Sequence, residues 1–204
     1  MSLIKKPCEL EIQPKIKMLV YGQAGIGKST IALSAPSPLL FDFDNGINRV
    51  NFAHVKDTVQ IENYTDMLDV VNKEDLSSYE TLVIDTGGKC LDKMAEYIIG
   101  NNPRLGKANG SLTLQGYGER KMEFAALCKL IVSKNKHVIF VAHRQTQQDG
   151  DDIRYVPLFG GSNYDSLVTE LDLVGYMEAN GRKRTITFYP TSKNDGKNTC
   201  NMPS

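Results

Sequence analysis

Apolar residues along this chain come in short unbroken runs separated by stretches of helical spacing, and that alternation predicts the elements. Residues 16–21 form such a run before a glycine-rich turn and predict a buried strand. Residues 28–34 follow as a helix, ended by Pro36 and Pro38. Residues 39–43 predict a second strand, closed by the turn Asp44-Asn45-Gly46. Residues 59–61 are a weaker strand, and residues 64–72 carry Tyr64, Met67, Leu68 and Val71 at helical spacing. Residues 81–84 make a buried strand that ends at Asp85, and the helix expected next has Leu91, Met94, Ala95 and Ile98 on one face. Residues 100–118, rich in Gly and Asn, read as a long mobile loop. Residues 119–134 are the clearest helix, striped by Phe124, Leu127, Cys128 and Ile131. Residues 137–142 predict another strand. Residues 145–161 are polar and then glycine-rich, with a hairpin around 153–156, and residues 162–169 form a short helix. Two strands, 171–177 and 184–189, close the pattern around an Asn180-Gly181 turn.

Strands alternate with helices, and the central strands lack polar alternation. This is the signature of an α/β fold whose mainly parallel β-sheet is sandwiched by helices. The expected organisation is a polar N-terminal segment (1–15), one domain (16–193) and a polar tail (194–204) that packs against nothing. No internal repeat is visible. A chain of 204 residues matches one α/β domain and buries a full core without disulfides. Its formal net charge of +0 gives no global attraction to nucleic acid or membrane, although a local patch stays open. No apolar run is long enough to span a bilayer, and the start has lysines but no apolar signal core, so a cytoplasmic location without membrane partners is expected. The cysteines Cys8, Cys90, Cys128 and Cys200 lie too far apart for zinc spacing; Cys90 and Cys128 fall in helical apolar patterns and read as core.

Chemistry concentrates first in Gly22-Gln23-Ala24-Gly25-Ile26-Gly27-Lys28-Ser29, which fits G-x-x-x-x-G-K-[ST] at every fixed position. A strand precedes it and a helix follows, as such a loop requires. Its glycines let consecutive N–H groups turn inward toward phosphate oxygens, and the following helix adds its positive end. Lys28 supplies a point charge, Ser29 a hydroxyl for magnesium, and Thr30 a hydroxyl near the α-phosphate. A dinucleotide fingerprint fits worse, since the glycines fall as G-x-x-G-x-G.

Asp85, at the carboxyl end of a buried strand, is placed to hold magnesium through water. Capping the next helix is the competing role, which Thr86 can fill instead. Asp42 and Asp44 follow the second strand and, by alternation, point to one side. Asp44 can position or deprotonate an attacking water, or simply make the turn; Asp42 can be buried and structural. His143 ends its strand at the same rim, where it can sense the γ-phosphate or close the strand through a hydrogen bond. His54 and His137 have no such placement.

The order of these parts, with Asp-Phe-Asp-Asn-Gly after the second strand, then Val-Ile-Asp-Thr, then Val-Ala-His-Arg, resembles the RecA-like P-loop ATPases. Within that group it is most similar to the compact phage nucleotide-binding proteins that act with single-strand annealing or recombination systems. The resemblance covers roughly residues 17–197, the size of one domain. It implies ATP and Mg2+ as cofactors, homo-oligomers, single-stranded DNA and phage recombination proteins as partners, and a phage-infected bacterial cytoplasm. It puts the catalytic acid, usually Glu, at Asp44, one methylene shorter, and the sensor at His143. Lys28, Asp44 and His143 are thus the catalytic set. The resemblance also gives residues 145–161 a single-stranded DNA role, with Tyr155 and Phe159 as stacking residues; the charges there, Asp149, Asp151, Asp152 and Arg154, are mostly acidic, and core packing competes for both rings. A basic residue reaching a neighbour's site would be Lys193 or Lys197, or else these belong to a solvated tail. The cluster Arg182-Lys183-Arg184 reads as a solvated turn.

Three functions fit these residues: an ATPase of phage-type DNA recombination or single-strand annealing, a nucleotide or small-molecule kinase, and a nucleotide-gated binding module with little turnover. The kinase would need an arginine-rich lid, and residues 100–118 offer only Arg104, with Arg120 just beyond.

Overall fold

Apolar runs leaving water must pair every backbone N–H and C=O, and here they do so by lining up as one sheet. The computed structural model describes residue 6 and residues 15–150, 152–160 and 163–202. The segment expected at 1–15 therefore lies almost wholly outside the described residues. In chain order the elements are β1 (Lys17–Gly22), α1 (Lys28–Ala32), β2 (Pro38–Asp42), β3 (Thr58–Gln60), α2 (Tyr64–Lys73), β4 (Thr81–Asp85), α3 (Gly87–Asn101), α4 (Leu114–Ser133), β5 (His137–Asp149), β6 (Asp152–Pro157), α5 (Asn163–Glu170), β7 (Leu173–Asn180), β8 (Lys183–Thr187) and β9 (Lys197–Asn198). The sheet runs β3-β2-β4-β5-β1-β7-β8. The pairings from β3 through β7 are parallel, and β8 and β9 both run antiparallel to β7. This is the α/β architecture expected: a mostly parallel sheet flanked by helices.

The interior strands carry no polar alternation because both faces are covered. Every residue of β2 and of β4 is buried. The helices are shared unequally between the faces. Leu19, Tyr21, Phe41, Leu82, Ile84 and Phe140 point into the larger core, which takes Met67 of α2, Met94 of α3, Phe124 and Ile131 of α4 and Leu167 of α5. The opposite face packs Leu40, Val83, Ile139 and Val141 against Ala32 and Leu33 at the end of α1, with Ile47 and Val50 beside them. Each fully buried aliphatic side chain contributes about 1.5–3 kcal/mol, so the larger core dominates the stability of the rim that carries the loops. Among the described residues no helix is long and apolar enough to cross a membrane. Cys90 and Cys128 are buried free thiols, as their patterns predicted, and Cys200 is exposed.

Three expectations change. The stretch 100–118 is not one long loop, because α4 begins at Leu114, with the Thr113 hydroxyl accepting from the Gly116 N–H at 3.2 Å. Gly116 looks like a loop residue in sequence, yet it sits in the first turn of α4 because a Cβ there would lie 2.6 Å from the Leu105 carbonyl oxygen. Second, β5 continues past its parallel partner β1, pairing with β6 from Arg144↔Pro157 to Asp149↔Asp152. Third, the tail expected at 194–204 is, over its described residues 194–202, held by polar contacts rather than frayed. Its β9 pairs with Leu173 and Val174, Asn194 is 6% exposed, and the Asp195 carbonyl accepts the Tyr21 hydroxyl at 2.8 Å.

Candidate active site

Gly22 is the last residue of β1, and it must be glycine because a Cβ would lie 2.3 Å from the Met177 carbonyl oxygen on β7. The chain then turns back through Gly25 at φ +76° and Gly27 at φ +96°, left-handed conformations that glycine adopts without strain. Nothing lies within 4 Å of a Cβ built on Gly25, so the loop faces open space. Lys28 opens α1 at 5% exposure, and its Nζ donates to the Gln23 carbonyl at 2.7 Å, closing the loop on itself. Burial pushes the Lys28 ammonium below the usual lysine range, against the opposing pull of Asp85 and then Asp44.

Across the cavity, the Ser29 hydroxyl donates to Asp85 Oδ2 at 2.5 Å. Thr86, rather than Asp85, caps α3, its hydroxyl accepting from the Lys89 N–H at 3.4 Å. Asp85 is therefore left for the cavity. It is 6% exposed. Burial pushes its carboxyl up to about 6, against the Ser29 hydrogen bond, with Asp44 and Asp42 adding repulsion and Lys28 opposing. A carboxylate so short of positive charge, paired with a hydroxyl, is a donor set suited to a hard cation. Among the described residues no group of three His, Cys, Asp or Glu gathers into a metal site made by protein alone. That fits a cation held partly by phosphate oxygens, and the residues present fit a magnesium nucleotide.

Asp42 and Asp44 have parted roles. Asp42, 1% exposed, accepts the Gly46 N–H at 2.8 Å and the Ile47 N–H at 3.0 Å, so it holds the 3-10 turn Gly46–Arg49. Asp44 lines the cavity and pairs with Arg49 at 2.9 Å. His143, level with Gly22 in the β1–β5 register, lines the same cavity. Burial first, and then Lys28, hold its imidazole below the usual range, so it is neutral near pH 7. The cavity of about 440 Å³ thus brings together Gly25, Gly27, Lys28, Ser29, Thr30, Asp44, Asp85 and His143.

Other expected residues lie elsewhere. Phe159 is 1% exposed between Phe124 and Phe140, and Tyr155 stacks on Tyr176 with centroids 5.7 Å apart, under the Arg144 guanidinium. Both rings are packing residues, which removes them as base-stacking platforms. Arg154 pairs with Asp195. Lys197 lies in β9 at the opposite end of β7 from the phosphate loop, and its Nζ donates to the Val168 carbonyl at 2.8 Å. Lys193 is exposed beside β6, where its carbonyl accepts the Tyr155 N–H. The reading of Arg184 as part of a solvated turn is corrected: its Nε donates to the Ile26 carbonyl at 2.9 Å and ties β8 to the phosphate loop. That contact spans 158 residues, and no local pattern signals it.

A glycine-curled loop and buried lysine at the carboxyl rim of a mostly parallel sheet, with an aspartate opposite, define a P-loop NTPase. The AAA domain family matches residues 14–200, and the chain belongs to it, a family of nucleotide-binding P-loop ATPases. The match includes the polar stretch that packs against β7. No curated protein matches the chain.

Proposed function

We propose that this protein is a magnesium-dependent ATPase acting in phage-type DNA recombination or single-strand annealing. The observation that carries the ATPase reading is the Ser29–Asp85 contact at 2.5 Å, facing the buried Lys28 across one cavity. The recombination setting rests on the resemblance to compact phage nucleotide-binding proteins, as do single-stranded DNA and a second copy of the chain as partners.

The N–H groups of residues 24–29 and the Lys28 ammonium bind and orient the terminal phosphates, with Thr30 beside them. Ser29 and Asp85 hold magnesium, which when bound supplies positive charge to the phosphate oxygens. Asp44 orients the attacking water by accepting its hydrogen bond and takes its proton as the water oxygen bonds the γ-phosphorus and the bond from that phosphorus to the bridging oxygen breaks, so that ADP and phosphate leave. Neutral His143 reads the phosphate end by a hydrogen bond and is continuous in β5 with the β5–β6 hairpin beyond the rim. Lys193 is the available residue for reaching a neighbouring subunit, since Lys197 is already bonded to Val168 within its own chain. One observation favours the alternative of a nucleotide-gated module with little turnover: Asp44 is short and already paired with Arg49.

Phosphate release from ATP, measured with and without magnesium and single-stranded DNA, tests the proposal. Magnesium-dependent release stimulated by DNA is expected. Transfer to a nucleotide acceptor, indifferent to DNA, would establish a kinase instead. Binding without release would establish the gated module.

A further inference from the structure

Helix α4 carries an arginine for which the fold shows little use. Arg120 is 9% exposed, and its Nε is buried with no hydrogen-bond partner. Among the described residues its guanidinium enters no ion pair; it lies over the Tyr117 ring, 5.0 Å from centroid to Cζ, and Asp92 attracts it from beyond ion-pair distance. A buried cation ordinarily has an acceptor at hand, because desolvation without one is costly. Arg120 lines a separate cavity of about 210 Å³ between α4, the start of α3 and residues 158–160.

The surroundings of this cavity define what it can take. Gly88, in the first turn of the 15-residue α3, lies on its wall, so unpaired N–H groups at the positive end of that helix are close by. Lys89 and Asp92 also line it and pair with each other at 3.0 Å, so Asp92, which attracts Arg120 without forming an ion pair with it, is shared between two cations. The apolar floor is Leu91, Leu158 and Phe159. At about 30 Å³ per water the space holds roughly seven waters, enough for an oxyanion and its hydration but small beside a nucleotide pocket. Thr86 and His143 belong to both this cavity and the larger one, so the two adjoin at the phosphate end.

We propose that this cavity is a second oxyanion subsite, which takes a tetrahedral phosphate-class anion on the Arg120 guanidinium and the first N–H groups of α3. The anion can come from two sources, inorganic phosphate freed at the larger cavity or the phosphate end of a monoester. The location follows from Arg120 and α3 and does not depend on ATP hydrolysis.

Equilibrium dialysis with radiolabelled inorganic phosphate tests it, using the full chain with the larger cavity filled by a non-hydrolysable magnesium–ATP analogue. A fluorescent ATP analogue reports nucleotide binding separately, so a chain that binds no nucleotide is distinguished from one without the subsite. If nucleotide does not bind, Lys28→Ala replaces the analogue as the means of disabling the larger cavity. One phosphate per chain is expected, weakened at least ~10-fold in Arg120→Met. Two exposed positions give opposite signs without disturbing the core: Lys89→Ala weakens phosphate binding and Asp92→Asn tightens it, each by about 3-fold to 10-fold. Displacement of the label by a nucleoside 5′-monophosphate supports the monoester source, and its failure supports released phosphate. The proposal is overturned if no label binds, or if all three variants bind it like wild type. It is equally overturned if Arg120→Met instead dissolves an oligomer in sedimentation, because an acidic side chain of a second copy is then the partner.

Discussion

Replacing Asp85 with asparagine separates what the carboxylate costs the fold from what it does for the site. Asparagine keeps the shape and still accepts the Ser29 hydroxyl, but it removes the charge. In the native chain, burial moves the Asp85 carboxyl from 3.8 up to about 6. Between these two values the folded chain holds a proton that the unfolded chain has lost. This group's favourable contribution is therefore complete below 3.8 and disappears as pH rises through about 6. At about 1.4 kcal/mol per pH unit the interval corresponds to roughly 3 kcal/mol. Lys28 loses a counter-charge in the variant, which returns part of that, so the expected gain near pH 8 is about 1–2 kcal/mol. In a chain of this size that raises Tm by about 2–8 °C. The assay is thermal unfolding by circular dichroism, in chelator and without nucleotide, of both proteins from about pH 4 to about pH 8. The gap between them should be near zero at the acid end and open toward the alkaline end. A variant less stable than wild type at about pH 8, or a gap independent of pH, would refute the reasoning.

Four further variants have expected outcomes. Arg184→Ala, at an exposed position, should weaken ATP binding by about fivefold with little change in Tm, read by calorimetry, because the loop loses its bond at Ile26. Asp44→Asn should lower kcat at least ~100-fold with ATP affinity within about threefold, whereas Arg49→Ala, which frees Asp44 from its ion pair, should raise kcat; steady-state phosphate release measures both. Gly87→Ala should cost about 1–3 kcal/mol in urea unfolding, because its Cβ would lie 2.1 Å from the Phe159 ring.

The strands and the phosphate loop were legible because each is written locally. An unbroken apolar run such as residues 81–84 has one stable fate in a covered sheet, and the loop needs glycines at fixed spacing beside a lysine. Asp85 was legible because a carboxylate ending such a strand lies at the rim. What stayed hidden depends on distant contacts. The start of α4 was masked by Gly116, whose reason is the Leu105 carbonyl and not chain flexibility. The far half of β5 and the short β9 are polar and hold through backbone pairing, which leaves no hydrophobic period to read. Arg184 and Arg120 look like ordinary surface residues until tertiary packing brings one to Ile26 and buries the other beside α3. Asp42 and Asp44 were seen as a pair, but only the fold assigned the first to a turn and the second to the cavity.

Titration calorimetry of ATP with and without magnesium, on wild type, Lys28→Ala and Asp85→Asn, tests the central claim most directly. The account predicts tight binding to wild type that magnesium strengthens, loss of at least ~100-fold in Lys28→Ala, and binding to Asp85→Asn that no longer responds to magnesium. Undiminished affinity in Lys28→Ala, or an unchanged magnesium response in Asp85→Asn, would contradict it.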